Sequence, residues 1–402
     1  MRFKNFLTEQ TEEDKLKHLE HVEDHVLHAG KEGFGHAFHT INDVHNHLQG
    51  KGQGQTATTI KYDGSPSVVF GKHPENGKFF VASKSAFNKN PKINHTHEDI
   101  EANHGHAPGL VTKLKAALDH AHKIEPDGVY QADIMHGPGD VKKKGNRVEF
   151  TPQLITYHAP HDSEHGKAAA KAQLGLAVHT KYEGKTFDSM KAVHGAIDHN
   201  NFKKHPDVHM MSANHDMSTH RYSMEDRAQV DHHLQQAVAH FKNTPDEHHD
   251  TVLKHANAKK TYINHTIRTG EQYSHEGFVN HVSGKLMKKV DGVKTEAAKA
   301  RHQKTHDDTV GHINKNKEHF EGPMHMHRHL QAAKDIITKT MSQKSQWGHE
   351  VEGQKVKPEG FVAIRNGRPS KFVDRAEFSA ANLDHTPIGQ NNANVGFSMK
   401  LT

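Results

Sequence analysis

The amino-acid sequence predicts an α+β protein: an antiparallel sheet core with a helical amino-terminal extension and a large helical insertion. Residues 55–182 hold short β-branched and aromatic runs separated by Asp-Gly, Pro and Asn-Gly turn signals, the texture of paired strands. Residues 183–350 are highly charged and dominated by helix-like stretches, among them Ser223–Lys242 and Thr295–Ser342. Strand-like runs return at Gly360–Arg365 and Ser370–Asp374 and are expected to complete the first sheet.

Taken in order, Glu12–Leu48 reads as two amphipathic helices, broken near Gly30–Gly35 and stopped by Gly50-Lys51-Gly52-Gln53-Gly54. Thr56–Tyr62, Ser67–Gly71 and Lys78–Ser83 then form an antiparallel meander. A helix is expected over Pro108–Ile124, followed by strands at Gly128–Met135, Arg147–Phe150, Leu154–His158 and Leu174–Thr180. A strand-like patch at Gly277–Val282 interrupts the helical region. The resulting division is 1–54 (extension), 55–182 (first part of the core), 183–350 (mostly helical insertion) and 351–402 (core-completing strands and tail).

Composition narrows the function classes. Hydrophobic residues make up 33% of the 402 positions and aromatics 6%, so the core is expected to be modest. No apolar run approaches the roughly 18 residues that span a bilayer, so no membrane role is expected. The start, MRFKNFLTEQTEEDK, lacks the apolar segment of a secretory signal, and a cytoplasmic location is the default. The absence of cysteine excludes disulfide scaffolds, thiolate zinc sites and cysteine nucleophiles. A net charge of +5 leans weakly toward a polyanionic partner. The 44 histidines are spread along the chain, with the tightest sets at His45/His47, His95/His97, His104/His106 and His325/His327/His329. They are expected to act as ordinary solvated polar residues, and their protonation should loosen the protein in acid by self-repulsion.

The sharpest motif is Lys61-Tyr62-Asp63-Gly64-Ser65, where a strand meets a turn. Downstream come Ser83-Lys84-Ser85 at a strand end and Asp133 closing the run Gly128-Val129-Tyr130-Gln131-Ala132. Farther on lie Glu359-Gly360-Phe361-Val362 and Lys371-Phe372-Val373-Asp374-Arg375. Alone, each has a plain structural reading: Asp-Gly is a turn dipeptide, and a lysine at a strand end is a solvated charge. Their ordered succession is what carries weight.

The set resembles the covalent nucleotidyltransferase superfamily of DNA ligases, RNA ligases and mRNA capping enzymes. Lys61-x-Asp63-Gly64 looks like its motif I, Asp133 its motif III acid, Glu359-Gly-Phe-Val its motif IV and Lys371 its motif V. Lys84, where DNA ligases carry an earlier arginine, makes phage-type RNA ligases the nearest likeness, and the layout is similar to proteins of large tailed phages. The resemblance covers about residues 55–160 and 355–385. It implies a ligase-type nucleotidyltransferase core, ATP and Mg²⁺ as cofactors, and a covalent AMP on Lys61 with Lys371 assisting. It also implies nucleotide contacts from Lys61, Asp63, Gly64, Lys84, Asp133, Tyr157, Glu359 and Lys371, with Phe87 as an alternative ring to Tyr157. Asp133 and Glu359 would bind metal, and a 5′-phosphorylated polynucleotide, RNA first, would be the acceptor. Asp133 stands where the superfamily usually has glutamate, and Pro369 where it usually has a first motif V lysine. These departures favour an alternative, a catalytically inactive nucleotide- or nucleic-acid-binding accessory protein of the same fold.

The chemistry accounts for the residue types. A nucleophilic lysine must be neutral, and at pH 7 that costs about 4.6 kcal/mol from a pKa of about 10.4, so nearby cations such as Lys84, Lys371 and bound metal would help. Carboxylates serve the metal and the ribose, and Gly64 allows a sharp turn after the nucleophile strand. A near-repeat competes for one role: Glu276-Gly-Phe-Val, followed by Lys288, has the same spacing as Glu359-Gly-Phe-Val followed by Lys371. The later copy is the expected site because Lys371 leads into the ordered Val373-Asp374-Arg375 ending. Basic stretches at Lys142–Arg147 and Lys285–Lys289 permit phosphate contacts.

Overall fold

The computed structural model describes residues 19–52, 54–218 and 220–375. Its strands are β1 (Thr56–Lys61), β2 (Ser67–Lys72), β3 (Phe79–Ala82), β4 (Val129–His136), β5 (Lys142–Lys144), β6 (Arg147–Phe150) and β7 (Thr156–Pro160). They continue with β8 (Leu174–Glu183), β9 (Lys191–His194), β10 (Val208–Ser212), β11 (Gly348–Val351), β12 (Gln354–Lys355), β13 (Gly360–Arg365) and β14 (Arg368–Phe372). The chain is mixed α and β and divides into two compact units. One is built mainly from Ala57–Asp216 and Ser342–Pro369, the other from Glu20–Thr56, Met217–Met341 and, among the described residues, Ser370–Arg375.

The first unit holds a six-stranded sheet, in the order β10-β8-β4-β2-β3 with β9 also on β8. Its pairs are antiparallel except β10 with β8. Side chains alternate across a strand, so Tyr130, Ala132 and Ile134 of β4 share one face with Val68 and Phe70 of β2, packed against Leu114 and Ala117 of helix Pro108–Ala121. The other face carries Val69, Phe80, Val129 and Tyr182 against Phe87 and Phe187. Gln131 and Asp133 belong to this second face by the same alternation. A second sheet runs β12-β11-β7-β6-β5, clamped across its strands by Arg147, whose two Nη atoms donate to the two carboxylate oxygens of Glu350 at 2.7 and 2.9 Å. Trp347 and His136 pack on Phe150 at 5.1 and 5.0 Å between ring centres.

Three expectations change here. β1 does not join β2 and β3 in a meander; it lies next to β13 in a three-stranded sheet ordered β1-β13-β14. The expected insertion starts too early, because β9 and β10 pair with β8 and belong to the sheet unit. The strand expected from Leu154 begins at Thr156, since the Leu154 and Ile155 amides donate to the Asp63 carboxylate and not to a neighbouring strand.

In the second unit, residues 20–56 cluster with the helices beyond residue 217, so the expected extension and insertion are one body. The break near Gly30 falls where expected: Gly30 has φ +51°, which favours glycine, and opens helix Gly30–Leu48. Leu27, Tyr262, Phe278 and Phe320 share its core. The strand-like patch at Gly277–Val282 is instead inside helix His275–Asp291. Ser274 caps that helix by accepting from the Gly277 amide at 2.9 Å, and Phe278 and Val282, four apart, bury one face of it.

Charge is buried in this unit. Glu23 and Asp24 are fully enclosed, and Arg375 donates to Asp24 at 2.7 Å while Lys334 donates to Asp335 and to the Val373 carbonyl, both at 2.6 Å. Burial alone would raise the Asp24 pKa, but the Arg375 guanidinium and a bond from His327 hold it well below the ordinary range. Replacing Arg375 with leucine removes the guanidinium shared by two buried carboxylates, leaving Asp24 with His327 and Glu23 with Lys334, so R375L is expected to lower stability by about 3 kcal/mol, read as a shifted urea midpoint.

The histidines are not uniformly solvated as expected. His136, His209 and His349 are buried in the first unit, and burial lowers their pKa values to about 4, 3 and 4. Unfolded, they take up protons below about 6.5; folded, they resist until the pH falls near 4. Stability is therefore lost as pH drops through that window, by up to about 3 kcal/mol per imidazole. Urea midpoints at pH 7 and pH 5 should differ accordingly, and His136→Asn with His209→Asn should narrow the gap.

Candidate functional site

The site grows from the end of β1. The Ile60 amide donates to the Ala213 carbonyl at 2.6 Å, and Thr59 bridges to Asn214, so the strand is held up to the motif lysine. The next residue, Tyr62, is buried, and its hydroxyl donates to the Ser212 carbonyl at 3.0 Å. Asp63 is buried as well: its amide donates to the Tyr157 hydroxyl at 2.7 Å, and its Oδ2 accepts the Leu154 and Ile155 amides, both at 3.0 Å. The loop then lies on β4, with Ser65 N–H bonded to the Ile134 carbonyl at 3.1 Å and Ile134 N–H to the Pro66 carbonyl at 3.0 Å.

Gly64 has a requirement different from the sharp turn expected of it. A Cβ there would come within 2.5 Å of the Asp133 Cβ and 2.8 Å of the Met135 sulfur, so only glycine lets the motif loop touch this strand. A second glycine acts through its backbone: Gly360, with φ +140°, follows Glu359 and leads into β13, which neighbours β1.

That adjacency joins residues far apart in sequence. Lys61 Nζ donates to Glu359 Oε1 as an ion pair across 298 positions. Glu359 is buried, and its other oxygen has no hydrogen-bond partner. Burial, with the nearby Asp63 and Asp133 carboxylates, pushes its pKa up to about 7 against the opposing pull of Lys61. Asp133, partly exposed, has Oδ1 3.7 Å from His179 Nε2. His179 escaped the sequence reading. It is the extra residue of a bulge in β8, between Val178 opposite Ala132 and Thr180 opposite Gln131, and it is the first polar side chain after the apolar run Leu174–Val178. Gln131 continues the polar face, donating to Ser67 Oγ at 2.7 Å and accepting from the Tyr182 hydroxyl at 2.6 Å.

Lys61, Asp63, Gly64, Asp133, Tyr157 and Glu359 are thus brought together. Lys84 opens the 3₁₀ turn Lys84–Phe87 after β3 and makes no ion pair among the described residues. Lys371 lies in the second unit, where its amide donates to the Glu20 carbonyl at 2.8 Å. Glu276 also lies in that unit, on a helix, so the copy that meets Lys61 is Glu359. Tyr157 is not a ring open to a base. It is 1% exposed, with its hydroxyl engaged by Asp63 and its ring 5.7 Å from Phe150 and 5.9 Å from Tyr62. Phe87 is likewise core, 4.5 Å from Tyr182.

Carboxylate oxygens suit a hard cation such as Mg²⁺. Among the described residues Glu359, Asp133 and Asp63 do not bring three ligand oxygens within 4.8 Å of one another, so the pair Glu359 and Asp133 is what offers a cation oxygens, and Glu359 keeps a buried oxygen without a hydrogen-bond partner. Because the folded state holds the Glu359 proton up to about pH 7, its contribution to stability is full below about 4.5 and is lost as pH rises to 7. Glu359→Gln lacks this dependence. The stability of E359Q relative to wild type should therefore rise across that window, by about 3 kcal/mol at most, in paired urea titrations.

No curated protein and no solved structure matches the chain. One family model covers residues 14–386, nearly the whole length. The chain therefore belongs to the family described as "Family of unknown function (DUF6267)".

Proposed function

We propose that this protein is an ATP-dependent nucleotidyltransferase of the polynucleotide-ligase type, with a ligase-type core in its first unit and a covalent AMP on Lys61. The observation that carries the reading is the Lys61–Glu359 pair, set in a group of carboxylates at the end of β1. Lys61 Nζ attacks the α-phosphorus of ATP, a P–N bond forms, and the bond to pyrophosphate breaks. The ammonium must first lose a proton, which passes to solvent, while Glu359, in hydrogen-bond contact, holds the amine in place. The 5′-phosphate of a polynucleotide, RNA first, then displaces the lysine and takes the AMP. A 3′-hydroxyl closes the strand as AMP leaves. Mg²⁺, held by Glu359 and Asp133, would neutralise charge on the phosphates. Asp63 orients the motif through its bonds to Tyr157, Leu154 and Ile155. ATP and polynucleotide ends place the work in a cytoplasm.

A second reading, nucleotide binding with no covalent step, draws support from the buried Tyr157 ring and from aspartate at position 133, one methylene shorter than glutamate. Intact-mass spectrometry after incubation with each nucleoside triphosphate and Mg²⁺ separates the two. Wild type should gain one AMP, while Lys61→Ala and Glu359→Ala should gain none or only traces. Equal labelling of Lys61→Ala and wild type removes the nucleophile assignment, and nucleotide protection without any mass gain selects the second reading.

A further inference from the structure

The helical unit contains a cleft of about 410 Å³, within the size range of small-ligand sites, that the proposed chemistry at Lys61 does not use. It opens where the start of helix Ala256–Thr269 meets helices His275–Asp291 and Glu296–Lys315. Lys254, Lys285 and Lys289 line it, and no carboxylate does. Lys285 and Lys289 stand one helical turn apart and so project on one side of their helix. None of the three forms an ion pair among the described residues, and all three are exposed. They are the part of the basic stretch Lys285–Lys289, together with Lys254, that the site at Lys61 leaves unexplained.

Two further features point to a phosphorylated ligand. Helix Ala256–Thr269 begins without a side-chain cap, and its first backbone bond runs from the Lys259 amide to the His255 carbonyl. The amides of residues 256–258, which line the cleft, precede that bond and are donors at the positive end of a helix. The floor is apolar, made by Val282, Leu286 and Leu253, and Leu253 is 37% exposed although its neighbours Thr251 and Val252 are buried. Like charges gathered around an apolar floor repel one another unless an anion sits among them.

We propose that this cleft takes one nucleotide unit of a single-stranded polynucleotide. The three lysines and the helix start meet phosphodiester oxygens, and the base lies on Leu253, Val282 and Leu286. Backbone contacts of this kind bind without reading sequence. The proposal stands apart from the chemistry at Lys61, and the two have separate readouts.

The test uses the full chain and a fluorescent 20-residue oligouridylate. In Lys254→Gln/Lys285→Gln/Lys289→Gln, affinity should fall about tenfold or more, and the slope of log K against log salt should shrink by about 1, as losing the one or two phosphates that flank a single nucleotide unit requires. AMP incorporation at Lys61 and the thermal midpoint should stay as in wild type. Leu253→Glu, which sets a carboxylate at the mouth, should repeat the loss without touching a lysine. Loss of AMP binding alone, with oligouridylate unaffected, would identify a free nucleotide as the source of the phosphate. Unchanged affinity and slope for both ligands in both variants would overturn the proposal.

Discussion

The candidate site depends on one buried carboxyl, Glu359, paired with the Lys61 amine. Glu359 is shut away from water beside Asp63 and Asp133, and Lys61 supplies the only ammonium bonded to it among the described residues. A pair this enclosed is not retained for stability, because removing two charges from water costs about what their attraction returns. What it provides is placement. The amine is fixed at the end of β1, in hydrogen-bond contact with a buried carboxyl. Every neighbouring feature serves that placement. Gly64 brings the loop onto β4, Gly360 turns Glu359 into β13, and Asp63 spends its carboxylate on two backbone amides and its own amide on Tyr157.

Much of this could be read from the sequence, and the parts that could not share a cause. Strands with local punctuation were legible: β2, β3 and β6 lie between turn signals and fall where the pattern puts them. The pairing of β1 with β13 was not, because nothing local tells a strand which distant strand will lie beside it. β9 and β10 are short runs inside a charged stretch, too brief for a period to show. The two Glu-Gly-Phe-Val copies make the point directly: the same four residues are helical after the Ser274 cap and lead a strand after Pro358. At the site, residue types with unusual chemistry were legible, while His179 and the close approach at Gly64 were not, since both arise only when β8 and β4 are side by side.

The histidines show what composition conceals. Only 6% of the chain is aromatic, yet the first unit needs flat rings where its sheets carry Phe150 and Trp347. Imidazoles take places beside them: His136 packs at a tilt against Phe150 and His209 against Trp347, at 5.0 and 5.6 Å between ring centres. A neutral imidazole packs much as an aromatic ring does, but it is neutral only above its pKa, so a core built this way is tied to pH. The cost of protonating buried imidazoles is thus a source of acid sensitivity separate from self-repulsion among exposed ones.

Electrostatics also separate the work of catalysis from that of holding a substrate. Around Lys61 the acids outnumber the base, with Asp63, Asp133 and Glu359 against one ammonium, so this group does not by itself attract a polyanion. A chemistry that brings phosphates to such a group therefore requires counter-charge, either a bound cation on the carboxylates or basic surface elsewhere on the chain. The chain's net positive charge must reside where lysines lack acidic partners, and Lys254, Lys285 and Lys289 are such lysines, gathered over an apolar floor.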